Sequence, residues 1–323
     1  MSEPAWRPTA SLKTLRQRAR VLAALRGFFA ARGVLEVETP ILGQTATPER
    51  HIVSFVLNTD EGPRFLHSSP EFAMKRLLAA GSQDIYQIGK VFRAGEIGTR
   101  HNPEFTLVEW YRVGLGLADL MAETVDLVGC AADCLGCARP PTRRLSYRQA
   151  FQTSLGLDPF LTDTTSLVAV ANRQGLAVQG ELDREAWLDI LLEHCVIPQW
   201  PADALTLLSD YPPARAALAR LRQDAEGQWV AARFELYWGD HELANGFHEL
   251  CDAPEQAGRF AADRRARAAL GLPTPPSDER FLAALGHGLP DCAGVALGLD
   301  RLLMVLLGHE DIAATLTFPW ARA

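Results

Sequence analysis

The chain lacks any long apolar run. Nowhere in its 323 residues do about eighteen apolar residues follow one another, which excludes a membrane-spanning helix. The opening stretch MSEPAWRPTASLKTLRQRARV has no apolar core of the kind a secretory signal needs, so a cytoplasmic protein with no membrane partner is expected. Positive charge is not in excess either. Lys and Arg total 32 against 39 Asp and Glu, a formal net charge of −7, where a protein that grips nucleic acid usually carries a basic footprint. The balance favours a basic partner over a nucleic acid. Cysteine is sparse. Of the six, Cys195, Cys251 and Cys292 are scattered, which suits a reducing compartment. Cys130, Cys134 and Cys137 have the C-x3-C-x2-C spacing of an iron–sulfur loop. They also fall on one face of an amphipathic helix over residues 118–137, and buried thiols there act as small hydrophobes. The helix is the stronger reading. No repeat or low-complexity tract is present. What remains, 48% hydrophobic and 22% charged, is ordinary globular composition with enough chain for a large core.

Residues 14–32 place apolar side chains at helical spacing and stop at Gly33. VLEVETPIL then alternates as a strand that ends at Pro40. PRFLHSSPEFAMKRLLAAG reads as a strand, a turn at Ser68-Ser69-Pro70, and a helix with Ser69 as N-cap and Pro70 at the first helical position. DIYQIGKVFRAG and EFTLVEWYRVG read as two antiparallel strands joined by the loop Glu96–Pro103, a hairpin expected to bring Arg93 and Glu109 near one base. Residues 139–230 look like helical insertions followed by a strand near Leu205–Leu208. In RFELYWGDHELANGFHEL (Arg233–Leu250), a two-residue turn at Gly239-Asp240 pairs Trp238 with His241 and Tyr237 with Glu242. Glu235 then lies on the Tyr237 face, diagonal to Glu242 at about 7–8 Å. Two carboxylates so placed can share a hard cation with substrate phosphates, although a surface hairpin with solvated acids has the same pattern. Asn245-Gly246 is expected to break the strand as a bulge.

The densest chemistry lies in FRAGEIGTRHNPEFTLVEWY (Phe92–Tyr111). Arg93 can fork onto a phosphate. His101 and Phe105 can stack a purine, and Glu104, Glu109 and Tyr111 offer acceptors to cations and hydroxyls. Glu71 reads as a first-turn acid favoured by the helix dipole. Asp300 reads equally as a helix N-cap.

That segment resembles motif 2 of the class II aminoacyl-tRNA synthetases, most closely the lysyl branch. RGVLEVETPIL (Arg32–Leu42) resembles motif 1, and GVALGLDRLLMVLLG (Gly294–Gly308) resembles motif 3, in the family's order. The resemblance implies an α+β fold: a class II catalytic domain with an antiparallel β-sheet flanked by helices. It implies one domain over residues 1–323, with an N-terminal arm at 1–13, a helical insertion at 139–230 and no anticodon-binding domain. Motif 1 implies a homodimer. ATP is implied as substrate, with Arg93 on the α-phosphate and Arg301 on the γ-phosphate. Ala94, Gly95, Glu96, His101, Asn102, Phe105, Glu242, Leu243 and Gly298 complete the implied nucleotide site, and Glu235 and Glu242 the implied Mg²⁺ site. On the amino-acid side, Glu71 takes the backbone amine, Glu249 with Tyr111 holds the side-chain ammonium, and Ser69, Pro70, Asn245 and Ala296 complete the set.

Two departures stand out. Motif 2 normally reads F-R-x-E, whereas Gly95 holds the glutamate's position here, so Glu96 or backbone groups are expected to meet the adenine. Lysyl enzymes carry G-x-G-x-G in motif 3, whereas here it is Gly294-Val295-Ala296-Leu297-Gly298, and the methyl of Ala296 is expected to narrow the amino-acid pocket. With SPE at 69–71 and the GFHEL stretch, these features resemble truncated lysyl-tRNA synthetase paralogues that modify translation elongation factor P. The implied reaction activates (R)-β-lysine, or lysine, as an adenylate and transfers it to a lysine ε-amine of that factor, with no tRNA. A tRNA or small-molecule acceptor, or a non-catalytic regulatory paralogue, are the alternatives.

Overall fold

A computed structural model describes residues 6–50, 52–178, 180 and 182–323. In chain order the helices and strands are α1 (Leu12–Ala30), β1 (Leu35–Glu36), β2 (Leu42–Gly43), β3 (Val56–Thr59), β4 (Gly62–Leu66), α2 (Glu71–Ala79), β5 (Ile85–Phe92), β6 (Glu104–Val113), α3 (Leu117–Leu135), β7 (Thr142–Ser146), α4 (Tyr147–Leu155), α5 (Thr164–Arg173), α6 (Arg184–Leu191), β8 (Leu205–Tyr211), β9 (Leu221–Gln223), β10 (Trp229–Trp238), β11 (His241–His248), α7 (Ala253–Ala269), α8 (Glu279–Gly288), β12 (Cys292–Gly298) and α9 (Leu299–Leu306). They form two compact units, one of Met1–Arg139 with Glu249–Ala323 and one of Pro140–His248.

In the first unit the strands run β1-β5-β6-β12. The β5–β6 and β6–β12 pairs are antiparallel, whereas β1 joins β5 in parallel, so the sheet is mixed rather than purely antiparallel. A three-stranded sheet, β2-β4-β3, accompanies it. The α1 stripe Val21, Leu25, Phe29 recurs every fourth residue and is fully buried. Phe29 stacks on Tyr86 with ring centroids 4.1 Å apart and meets Trp110 edge-on. Burying each such side chain contributes roughly 1.5–3 kcal/mol.

Several local expectations shift. VLEVETPIL does not form one strand: only Leu35–Glu36 and Leu42–Gly43 pair, on opposite sides of Pro40, which cannot donate to a ladder. Met1–Ala5 of the expected arm lies outside the described residues. Of the rest, Thr9 and Ala10 donate backbone hydrogen bonds to Thr317 and Leu316, Ala10 is buried, and Ser11 caps α1. Cys137 falls beyond the C-cap Gly136, so only Cys130 and Cys134 belong to α3. Among the described residues no cluster of metal-ligating side chains gathers around the three.

The second unit orders its strands β11-β10-β8-β7, with β9 on the flank of β10. The segment read as a helical insertion thus also supplies β7, β8, β9 and the start of β10. Its own core brings together Tyr147, Phe151, Leu167, Trp187 and Leu191. Among the described residues no helix is long and apolar enough to cross a membrane.

Candidate active site

The β5–β6 register sets the first unit's chemistry. Gln87 faces Glu109 and Ile85 faces Tyr111. On the other side of β6, Gly294 faces Tyr111, Ala296 faces Glu109 and Gly298 faces Leu107. Side chains alternate along a strand, so Gly294, Ala296 and Gly298 share the face that carries Glu109 and Tyr111. Arg93 lies beyond the strand end, where its N–H donates to Pro103 O at 2.9 Å. Glu109 is opposite Gln87, six residues back along β5, so the expectation that Arg93 and Glu109 meet at one base is wrong.

Helix α2 approaches this face. Its N-cap is Pro70, one residue later than expected, and Ser69 still serves the turn by accepting the Glu71 N–H at 3.0 Å. The Ser69 hydroxyl donates onward to Glu109 Oε2 at 2.8 Å, and the Tyr111 hydroxyl donates to Glu109 Oε1 at 2.8 Å. One turn after Glu71, Lys75 reaches the same place, with Nζ 2.6 Å from Glu71 Oε1 and 2.6 Å from Glu249 Oε2. Three carboxylates, one tyrosine and one ammonium therefore form a single network, in which Glu109, Glu249, Tyr111 and Lys75 are buried and Glu71 is partly exposed. Gly294 is needed there: a Cβ on it would run into the Tyr111 ring and stand 2.7 Å from Glu249 Oε1.

Burial is the largest influence on each charge. It pushes Glu109 up to about 7, helped by the neighbouring Glu71 and opposed by the Ser69 and Tyr111 hydroxyls. It pushes Glu249 up to about 8, against the pull of Lys75. Burial would lower Lys75, but Glu249 and Glu71 outweigh it and hold the ammonium charged. The Tyr111 hydroxyl is raised by burial and then by Glu109, so it stays a donor.

A second group surrounds the motif 2 loop. The Arg93 guanidinium lies over the Phe105 ring at 5.1 Å and 3.7 Å from the Glu96 carboxylate, while its buried Nε has no acceptor among the described residues. An orphaned donor beside a stacked guanidinium suits a phosphate oxygen. Gly95 has φ +84°, a left-handed backbone that a glutamate would adopt only with strain, which accounts for the missing motif 2 glutamate. Ala94 donates its N–H to Val53 O at 2.7 Å. Arg301 Nη2 stands 3.1 Å from His101 Nε2. Burial and then the Arg301 charge lower the His101 pKa, so a neutral imidazole accepts from the guanidinium.

Two residues from the sequence reading do structural work. Asn102 spends its amide on Glu104 O at 2.6 Å and on the Trp320 N–H at 2.8 Å, tying the loop to the C-terminal segment. Asp300 is not an N-cap: Gly298 holds that position, and Asp300 accepts the Thr106 N–H at 2.6 Å and pairs with Arg18 at 2.5 Å.

In the second unit Trp238 faces His241 and Tyr237 faces Glu242, as the turn at Gly239-Asp240 implies. The bulge is not at Asn245-Gly246. The register jumps from Leu236–Ala244 to Tyr237–Glu242, which leaves Leu243 unpaired and buried. The shift sets Glu235 opposite Asn245 and takes it off the diagonal with Glu242. The Glu235 carboxylate accepts from Arg233 Nη2 at 2.5 Å, from the Tyr211 hydroxyl at 2.6 Å and from the Tyr237 hydroxyl, while Arg233 Nε donates to Asn245 Oδ1 at 3.1 Å. A carboxylate held by a guanidinium and two phenols does not fit a resident magnesium ligand. Among the described residues no group of three or more His, Cys, Asp or Glu side chains could hold a metal.

Sequence reasoning missed Lys75, Tyr211 and Arg233. For Lys75 a signal existed: it stands four residues after Glu71, the spacing of a helical ion pair.

The family described as tRNA synthetases class II (D, K and N) matches residues 5–322. A relative from Haemophilus influenzae (strain PittGG), named elongation factor P--(R)-beta-lysine ligase, is 43% identical over 319 residues, covering 97% of this chain and 97% of its own length. One of the same name from Salmonella paratyphi B (strain ATCC BAA-1250 / SPB7) is 44% identical over 333 residues, covering 100% of both. The three sequence motifs, the mixed sheet flanked by helices and a match over nearly the whole length agree: this chain belongs to the class II tRNA synthetases (D, K and N).

Proposed function

We propose that this chain is an ATP-dependent ligase that activates (R)-β-lysine, or lysine, as an adenylate and transfers it to the ε-amine of a lysine on elongation factor P. The observation that carries this is the network of Glu71, Glu109 and Glu249 with Ser69 and Tyr111, in which Glu109 and Glu249 are buried and Glu71 stands at the partly exposed edge. Carboxylates so gathered need cations, and a diamino acid supplies two ammonium groups. The names of the relatives supply the acceptor.

The substrate carboxylate attacks the α-phosphorus of ATP in line, and pyrophosphate leaves. Arg93 meets the α-phosphate with its orphaned Nε, and Arg301, oriented by neutral His101, meets the terminal phosphate. Phe105 gives the Arg93 guanidinium a fixed plane, and Gly95 with Glu96 lines the nucleotide. No enzyme nucleophile is required, so positioning and charge stabilisation are the catalysis. In the second step the neutral acceptor amine attacks the adenylate carbonyl, AMP departs, and the nitrogen loses a proton as the amide forms.

A divalent ion arriving on the nucleotide phosphates needs only one or two protein carboxylates, and Glu242 is proposed for it; it would offset phosphate charge. Glu235 stays with Arg233 and its two tyrosines. On the amino-acid side Ala296, opposite Glu109, is proposed to favour the β-amine over the α-amine. A homodimer through the Arg32–Leu42 segment is proposed because Leu35, Ile41 and Leu42 expose their side chains there. A cytoplasmic setting without tRNA completes the proposal and accords with a net charge of −7. Incubation of elongation factor P with the enzyme, ATP, Mg²⁺ and β-lysine tests it by intact mass. A gain of one lysyl unit on the factor is expected. Transfer to tRNA instead would refute the acceptor.

A further inference from the structure

The chain contains only three lysines, Lys13, Lys75 and Lys90, and arginine supplies its remaining strong bases. One of the three, Lys75, is 1% exposed and sits at the centre of the carboxylate network. Its Nζ is 2.6 Å from Glu71 on its own helix and 2.6 Å from Glu249, and it lies 5.9 Å from the centre of the Phe281 ring on α8. Facing it from β6 are Glu109 and the Tyr111 hydroxyl, and from β12 the buried thiol of Cys292. Phe281 brings a ring and no charge. Glu71 and Glu249 thus bracket one ammonium with Glu109 beside them, and its compact point charge bridges the two carboxylates.

We infer that Lys75 is a positioning and specificity-determining residue that fixes the charge capacity of the amine site. It bridges Glu71 and Glu249 at 2.6 Å each, which aims both carboxylates and satisfies part of their charge, and leaves the rest to a substrate with two ammonium groups. The inference rests on the proposed amino-acid site. Its physical content is a balance. With Lys75 present, Glu71 and Glu249 share a neutralising partner and Glu109 keeps its two hydroxyl donors. A diammonium substrate completes the neutralisation, whereas a monoamine leaves one buried carboxylate to take up a proton instead. The raised affinities of Glu109 and Glu249 for protons in the free enzyme fit this balance, because the two ammonium groups entering the site expel the protons they hold.

The test compares the wild type with Lys75→Met, which keeps much of the side-chain volume without charge, and Lys75→Ala, which opens a space. Calorimetry with lysine in buffers of different ionisation enthalpy counts the protons released on binding, and pyrophosphate exchange gives KM for lysine and for ATP separately. For Lys75→Met the expected result is a rise of about tenfold or more in lysine KM with ATP KM unchanged, an alkaline shift of the KM profile, and more protons released per lysine bound. In Lys75→Ala, propylammonium lowers the lysine KM again and propanol does not. Wild-type enzyme binds 6-aminohexanoate, which has one ammonium group, much more weakly than lysine. A loss of thermal stability in Lys75→Met with unchanged lysine KM and proton count would overturn the inference while leaving the ligase function intact. Lysine binding with proton release by a wild type that performs no pyrophosphate exchange would uphold the inference and refute the function. A wild type that binds neither lysine nor β-lysine refutes both.

Discussion

Ala296 stands directly across from Glu109 in the β12–β6 register, two pairs along from Gly294 and Tyr111 and on the same face. Its methyl group therefore projects on the face where Glu109 is held by Ser69 and Tyr111. Gly294 tolerates no side chain there, and Ala296 is where the family's glycine pattern is broken. Ala296→Gly should raise the activation of α-lysine relative to β-lysine, by roughly tenfold or more if one methyl contact decides the fit. Pyrophosphate exchange with both isomers measures it, and an unchanged ratio would rule out Ala296 as the selector.

The carboxylates also set a pH window. Glu109 and Glu249 are raised to about 7 and about 8, above the ordinary range near 4.3 that they take in the unfolded chain. Between these limits the folded protein binds more protons than the unfolded one, so their contribution to stability is complete below the unfolded value and is lost as pH rises through 7–8. The free enzyme should lose melting temperature from pH 6 to 8.5, and Glu109→Gln should flatten that fall. The stabilisation given by bound lysine should grow over the same window, because the ionised carboxylates are the ones that hold ammonium groups. Melting curves with and without lysine check both signs; a lysine effect that shrinks with rising pH would contradict the assignment.

Glu235 distinguishes a structural carboxylate from a metal ligand. Replacing it with Ala leaves Arg233 and the buried Tyr211 and Tyr237 hydroxyls without their acceptor, at a cost of about 3–5 kcal/mol. Glu235→Gln keeps the shape and should cost less. In either variant that folds, the Mg²⁺ concentration for half-maximal activity should be unchanged. A large increase in that concentration, with little change in stability, would return Glu235 to the metal.

Much of this arrangement was legible in the residues. The Gly239-Asp240 turn gave the pairing of Tyr237 with Glu242 because a two-residue loop fixes register. Arg93, Glu96 and Phe105 lie together because Arg93 and Glu96 are on the short loop that joins β5 to β6 and Phe105 is at the start of β6. Bulge position was not legible: the extra residue fell at Leu243, a buried apolar position, and not at the Asn-Gly pair that local propensity favours. Nor was the use of Asn102, whose amide is consumed by Trp320, 218 residues further on. Lys75 lay between these cases. Its spacing from Glu71 was visible, but its second partner, Glu249, is brought to it only by the tertiary fold.

The most direct measurement is the intact mass of elongation factor P after reaction with the enzyme, ATP, Mg²⁺ and (R)-β-lysine, with tRNA alongside. The expected result is one added lysyl unit on the factor, none on tRNA, and loss of the product when Glu249→Gln replaces the wild type. Pyrophosphate release with an unmodified factor would keep the adenylate chemistry and contradict the acceptor, and no pyrophosphate release with any lysine isomer would contradict the chemistry itself.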